Sequence, residues 1–288
     1  MAQGDAPVPS EISDEVSDPI NSTNMSTDVL SMYVPIGDDE EECEYRIRFG
    51  NQIKYITVDG GAIEQDKRSF PPDLLAALPK LPRGDWVTAR IFKAANKDTL
   101  SYELSHRMLN GVNTLWHPTR IDILSLTRTI CHSSWVYTVT LPPNFGAQTA
   151  ILKFARFEFE VYGIEKETAL YEIIQSRCPG VGPAFLGHVT EQGRAMGFLI
   201  EFLEGRWAGI EDLAKCQEAV KKLHSQGILH GDLNRYNFIV SDEGQVRLID
   251  FADAKLNASE EDMQKEYDSL PERLVEESGL GKPITHPV

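Results

Sequence analysis

Between residues 230 and 251 the chain sets three oxygen-bearing side chains around one tight apolar hairpin, and this spacing constrains the fold more than any other feature. His230-Gly231-Asp232-Leu233-Asn234-Arg235-Tyr236-Asn237 leads into an apolar run over 238–240. The turn Ser241-Asp242-Glu243-Gly244 and a second apolar run over 246–249 follow, closed by Asp250-Phe251. A hairpin brings its two ends together. Asn237 and Asp250 are therefore expected to converge beside Asp232 on one edge of a cleft. Such oxygen ligands suit Mg²⁺, which takes one or two carboxylates with phosphate oxygens and water rather than an all-protein cage. The pattern predicts a metal-phosphate site.

Upstream, Lys153 ends the apolar run Ala150-Ile151-Leu152-Lys153. An ammonium buried there needs an anionic partner; the alternative is a strand-edge lysine whose stem lies on apolar surface while its head reaches water. Residues 164–175 carry apolar side chains at helical spacing, and Glu167 in that helix is the expected partner of Lys153, with Glu165 as the alternative register. Two strands are expected around 185–189 and 196–202. A further helix is expected through Leu213, Cys216, Val220 and Leu223, ending near Gly227.

These motifs resemble the protein-kinase-like superfamily over roughly residues 120–256. The chain as a whole is similar to small atypical fungal kinase-like proteins, and its His-Gly-Asp loop is similar to that of aminoglycoside phosphotransferases. The resemblance implies a two-lobed α+β fold with a shortened C-terminal lobe, and ATP and Mg²⁺ between the lobes. It implies that Asp232 orients and deprotonates an acceptor hydroxyl, and that Asn237 and Asp250 hold the metal. Lys153 and Glu167 would form the phosphate-binding pair, and the backbone near Glu201, Phe202 and Leu203 would meet adenine. The acceptor is a protein or a small molecule; a catalytically inactive scaffold is the rival reading. The chain departs from the pattern at several points: Gly231 stands where most protein kinases have Arg, Asn234 where they have Lys, and Ala252 where Gly follows Asp-Phe. No GxGxxG precedes Lys153, which leaves Ser133 and Ser134 as possible phosphate donors, and no Ala-Pro-Glu signature follows.

The charge of −16 is unevenly placed: residues 1–45 hold twelve Asp or Glu and no Lys or Arg. Residues 1–44 therefore read as a disordered acidic leader. Residues 45–120 read as an extension that opens with a hairpin over 45–58 and includes a short helix near 74–78, a strand over 86–93 and a short helix over 102–109. Residues 121–204 would form the N-terminal lobe and hinge, and residues 205–288 the C-terminal lobe. The near-neutral body lacks the clustered positive charge of a nucleic-acid binder. No apolar run approaches the roughly 20 residues of a membrane span. Four cysteines without a CxxC pair suit reduced thiols in the cytoplasm or nucleus.

Overall fold

The computed structural model describes residues 26–37, 40–94, 99–146, 148–276, 278–279 and 281–288. The chain divides between Met108 and Leu109. The first unit is a five-stranded sheet in the order β1-β2-β3-β4-β5. Its strands are β1 (Thr27–Tyr33), β2 (Cys43–Phe49), β3 (Gln52–Val58), β4 (Thr88–Lys93) and β5 (Leu100–Ser105), with helices α1 (Gln65–Arg68) and α2 (Pro71–Ala77) between β3 and β4. Gly50, at a φ of 60°, turns the β2–β3 hairpin where the alternation breaks. Strands β3 and β4 run parallel, and Tyr45, Ile47, Ile56, Val58, Leu74 and Trp86 fill the core against the helices.

Two expectations change here. Residues 1–25 and 38–39 lie outside the described residues, but Thr27–Tyr33, assigned to a disordered leader, pairs antiparallel with β2. Val29 and Met32 pack against the core, so this short stretch buries enough apolar surface to offset its ordering. The helix expected over 102–109 is instead strand β5, because its backbone groups complete the ladder of β4.

The second unit, from Leu109 on, is a mixed α and β body. Strands β6 (Arg120–Asp122), β7 (Thr127–Ser133), β8 (Val136–Thr140), β9 (Thr149–Phe154), β10 (Phe185–Glu191) and β11 (Arg194–Glu201) form most of its large sheet, and helix α3 (Val161–Arg177) links β9 to β10. After β11 come β12 (Arg206–Trp207), α4 (Leu213–His224), β13 (Ile228–Leu229), β14 (Phe238–Val240), β15 (Val246–Leu248), β16 (Lys255–Leu256), α5 (Glu260–Val275) and β17 (His286–Pro287). The large sheet runs in the order β17-β7-β8-β9-β11-β10-β6. Strands β6 and β7 are separate because the Asp122 carboxylate accepts from Leu124 N–H and caps a short 3₁₀ turn between them. One continuous core joins Leu170, Tyr171 and Ile174 of α3 to Phe198 and Ile200 of β11, Val220 and Leu223 of α4, and Leu270 and Leu274 of α5.

Residues 109–119, grouped by sequence with the extension, pack with this second unit. Val112 joins its core, and its N–H donates to Ala195 O at 2.8 Å. The Trp116 ring lies 4.6 Å from that of Phe185 and its indole N–H donates to Thr168 O. Beneath it, buried His188 accepts from the His117 amide at Nε2, and its Nδ1 has no hydrogen-bond partner among the described residues. Burial, helped by Arg120 and His117 and opposed by Glu165, pulls the His188 pKa down to about 4. The unfolded chain takes up a proton here below about pH 6.5, whereas the folded protein does not until about pH 4. Stability from this group is therefore complete above pH 6.5 and declines as the pH falls toward 4. Melting temperatures of the wild type should fall more steeply across that window than those of His188→Gln.

Candidate active site

Lys153 sits within β9, opposite Val136 of β8 and Phe198 of β11, which places its side chain below the sheet surface at 7% exposure. Its ammonium donates to Glu167 Oε1 and to Asp250 Oδ1, each at 2.7 Å. Burial works against the charged amine, but the two carboxylates outweigh it and hold the lysine above its ordinary range. Glu167 is raised, first by its own burial, with Asp250 adding to the effect and Lys153 opposing it. Asp250, whose side chain is 49% exposed, is held below the usual carboxylate range, chiefly by the Lys153 charge and against the effect of burial. Of the two acids, Asp250 is the one whose charged form the site favours.

The alternative register at Glu165 is occupied otherwise. Its carboxylate accepts from the Asn113 and Thr114 amides at 2.5 and 2.9 Å and from the Thr114 hydroxyl. The two acids, 200° apart on an ideal helix, face opposite partners on α3.

The second group of predicted residues lies in the loop after β13. Asn237 donates through Nδ2 to Asp232 O at 2.8 Å and to Asp232 Oδ2 at 3.1 Å. Its carboxamide oxygen is therefore the atom left for another partner. Asn234 caps the following 3₁₀ turn by accepting from Tyr236 N–H, and donates to Asp232 Oδ2 at 3.3 Å. The β14–β15 hairpin joins this loop to the lysine triad: Ile249 N–H donates to Asn237 O at 2.9 Å, one residue before Asp250. Asp250 itself adopts a φ of 62°, a left-handed conformation that Asp tolerates better than most residues.

His230 is fully buried, and burial lowers its pKa below the ordinary histidine range, against the pull of Ile249 O and the nearby acids. Its Nε2 lies 3.0 Å from Ile249 O and its Nδ1 accepts from Asp232 N–H at 3.4 Å, which assigns the proton to Nε2. The ring locks the two halves of the site together and faces Phe251 at 5.3 Å. Gly231 has a φ of 86°, and a Cβ there would lie 2.4 Å from Asp253 O. This geometry leaves no room for a side chain at the position where most protein kinases have Arg.

Glu201 ends β11 with its N–H on Ala184 O, and its carboxylate accepts from Ala184 N–H and from Arg247 at 2.6 Å. Its amide and side chain are committed. Phe202 and Leu203 follow in irregular backbone. Ser133 and Ser134 close the β7–β8 hairpin, where Ser133 Oγ accepts from Trp135 N–H.

Sequence reasoning missed Glu266. On α5 it accepts from the Gly231 amide at 2.7 Å, the His230 amide at 3.1 Å and His224 Nε2 at 2.7 Å. Although burial favours its neutral form, these donors hold it below the usual glutamate range. The available signal was the cap Ser259 followed by Tyr267, Leu270 and Leu274 at helical spacing.

Residues 203–266 match the RIO domain family. RIO kinases belong to the protein-kinase-like superfamily, atypical ATP-binding phosphotransferases, so the likeness of this chain to that superfamily is supported. The match contains Asp232, Asn237, Asp250 and Glu266, and stops short of Lys153 and Glu167. A search of curated proteins finds no match to the chain. Among the described residues, no helix is long and apolar enough to cross a membrane.

The close approach at Gly231 combines left-handed backbone with a blocked Cβ. Gly231→Ala should therefore cost at least about 2 kcal/mol, the sum of about 1–2 for the conformation and 1–3 for overpacking, read by denaturant unfolding. Glu266→Ala leaves the partly buried His230 amide and the Gly231 amide without their acceptor and should cost about 1 kcal/mol in the same assay.

Proposed function

We propose that the chain is an ATP-dependent phosphotransferase that moves the γ-phosphoryl group of ATP to a hydroxyl of a protein or a small molecule. The observation that carries this reading is the Lys153 ammonium held between Glu167 and Asp250, with the Asp232–Asn237 pair one hydrogen bond away through Ile249. A buried cation with two fixed acids is pre-organised to meet phosphate charge, so little reorganisation is required when the charge arrives.

Each residue then has one task. Lys153, kept protonated, neutralises phosphate oxygens, and Glu167 fixes its position. Asp232, aligned by the amides of Asn234 and Asn237, orients the acceptor hydroxyl and takes its proton. The backbone of Phe202 and Leu203 meets the adenine ring; Glu201 contributes as the anchor of that segment. Neutral His230 holds the loop and transfers no proton.

The donor set fits Mg²⁺. Among the described residues no group of three or more His, Cys, Asp or Glu side chains is arranged as a metal cage, and Mg²⁺ takes one or two carboxylates with phosphate oxygens and water. Asn237, through its carboxamide oxygen, and Asp250, through the oxygen not bound to Lys153, would hold the ion. The ion would supply further neutralisation of phosphate charge.

Titration with a fluorescent ATP analogue and steady-state hydrolysis, each with and without Mg²⁺, separates these roles. Lys153→Met should lose most nucleotide affinity. Asp250→Asn should lose the Mg²⁺ dependence of binding. Asp232→Asn should bind nucleotide normally while its turnover drops by about 10²–10⁴. A wild type that binds Mg²⁺-ATP yet turns over no faster than Asp232→Asn would be a catalytically inactive binding module instead.

A further inference from the structure

Three positions after Asp232, Arg235 opens the short 3₁₀ turn that Asn234 caps. Its Nε is shielded from solvent and finds no acceptor among the described residues. The arginines on either side of it in the chain are committed: Arg206 forks onto Asp212 at 2.7 and 2.9 Å, and Arg247 pairs with Glu201 at 2.6 Å. A guanidinium nitrogen withdrawn from water without an acceptor is costly, and its planar fork matches a carboxylate or a phosphate.

A second cation belongs to the same patch. The Arg235 guanidinium carbon lies 5.8 Å from the centroid of the Tyr236 ring, Tyr236 packs edge-on against Trp207 at 5.0 Å, and the Lys282 ammonium lies 5.4 Å from the Trp207 centroid. Trp207 is itself 39% exposed. Gly281, the residue before Lys282, abuts Asn234: a Cβ on it would stand 2.9 Å from Nδ2, the nitrogen that donates to Asp232. Neither Arg235 nor Lys282 has a carboxylate partner among the described residues. In a chain of net charge −16, two such cations near one aspartate are available to an anion from outside.

We propose that Arg235 and Lys282 form an anion subsite beside Asp232, and that the acceptor carries a phosphate or carboxylate close to the hydroxyl it presents. The acceptor role rests on the phosphotransferase reading; the two cations and their placement do not. Asp232 is exposed, so an acceptor meets it from solvent. Arg235 takes two oxygens of the anion with its fork, and exposed Lys282 adds charge from the rim, where salt screens it more. The Trp207 ring offers apolar surface to the carbon skeleton between them. The same two cations repel a basic acceptor.

The probes are two short peptides with one central serine, flanked by aspartates or by asparagines, and the pair glycerol 3-phosphate and glycerol. Affinity is measured by anisotropy of the labelled peptides and by calorimetry of the small molecules, in the wild type, Arg235→Gln and Lys282→Gln. An anionic probe should bind the wild type at least about tenfold more tightly than its neutral counterpart, as a charge-assisted bidentate contact provides. Arg235→Gln should lose most of that preference. Lys282→Gln, a surface change that leaves the core intact, should lose about threefold. Either preference supports the subsite, and the probe that shows it separates an acidic protein segment from a small phosphate ester. No preference in the wild type overturns the proposal, as does a preference that survives undiminished in both variants. A preference lost in the variants, with no phosphoryl transfer to the bound probe above the rate of Asp232→Asn, leaves the anion subsite standing and counts against the phosphotransferase reading alone.

Discussion

The candidate site of the second unit is built around one buried cation. An ammonium 7% exposed would be costly without compensation, and Lys153 obtains it from two acids 14 and 97 residues away. Those two bonds fix more than a side chain. They set the position of α3 relative to β9, and they draw the end of the β14–β15 hairpin toward the sheet. Removing Lys153 would leave two acids facing each other without their cation, which is the expensive way to break such a contact. Asp250 is the exposed partner, and its left-handed backbone directs the carboxylate toward the lysine without closing the space around it.

The rest of the unit supports this arrangement from both sides. On α3, Glu165 grips the backbone of residues 113–114, and the Trp116 indole grips the carbonyl of Thr168, so the helix cannot rotate freely about its axis. On the other side, Glu266 holds two amides of the Asp232 loop while His230 fastens that loop to Ile249. Phe251 packs edge-on against Tyr171 of α3 at 5.5 Å, which links both supports through the core.

How much of this was legible in sequence depended on range. The β14–β15 hairpin, the β2–β3 turn at Gly50 and the helical span of α3 are local patterns, and alternation or helical spacing was enough to place them. The choice between Glu165 and Glu167 was not local, because both lie on the same helix; what separates them is the segment 113–114, which no periodicity connects to α3. Strand β5 was misread as a helix for a similar reason, since its conformation is decided by the open ladder of β4. The strand at Thr27–Tyr33 sat behind an acidic, polar stretch whose average composition hid two apolar residues in the right register. The Ser259 cap and the apolar spacing mark the helix that carries Glu266, but nothing local marks that its carboxylate accepts from amides about 35 residues away.

Strand β1 bears on how this protein can be subdivided. It caps one margin of the five-stranded sheet, where its backbone satisfies the donors and acceptors of β2. Shortening the chain to begin at Tyr45, as a composition plot would suggest, removes that cover and cuts into β2 itself. The remaining margin, alternating Ile47 and Phe49 with open amide groups, is the kind of template on which foreign strands assemble. The short acidic-flanked stretch thus covers a sheet edge that would otherwise be open to pairing with another chain.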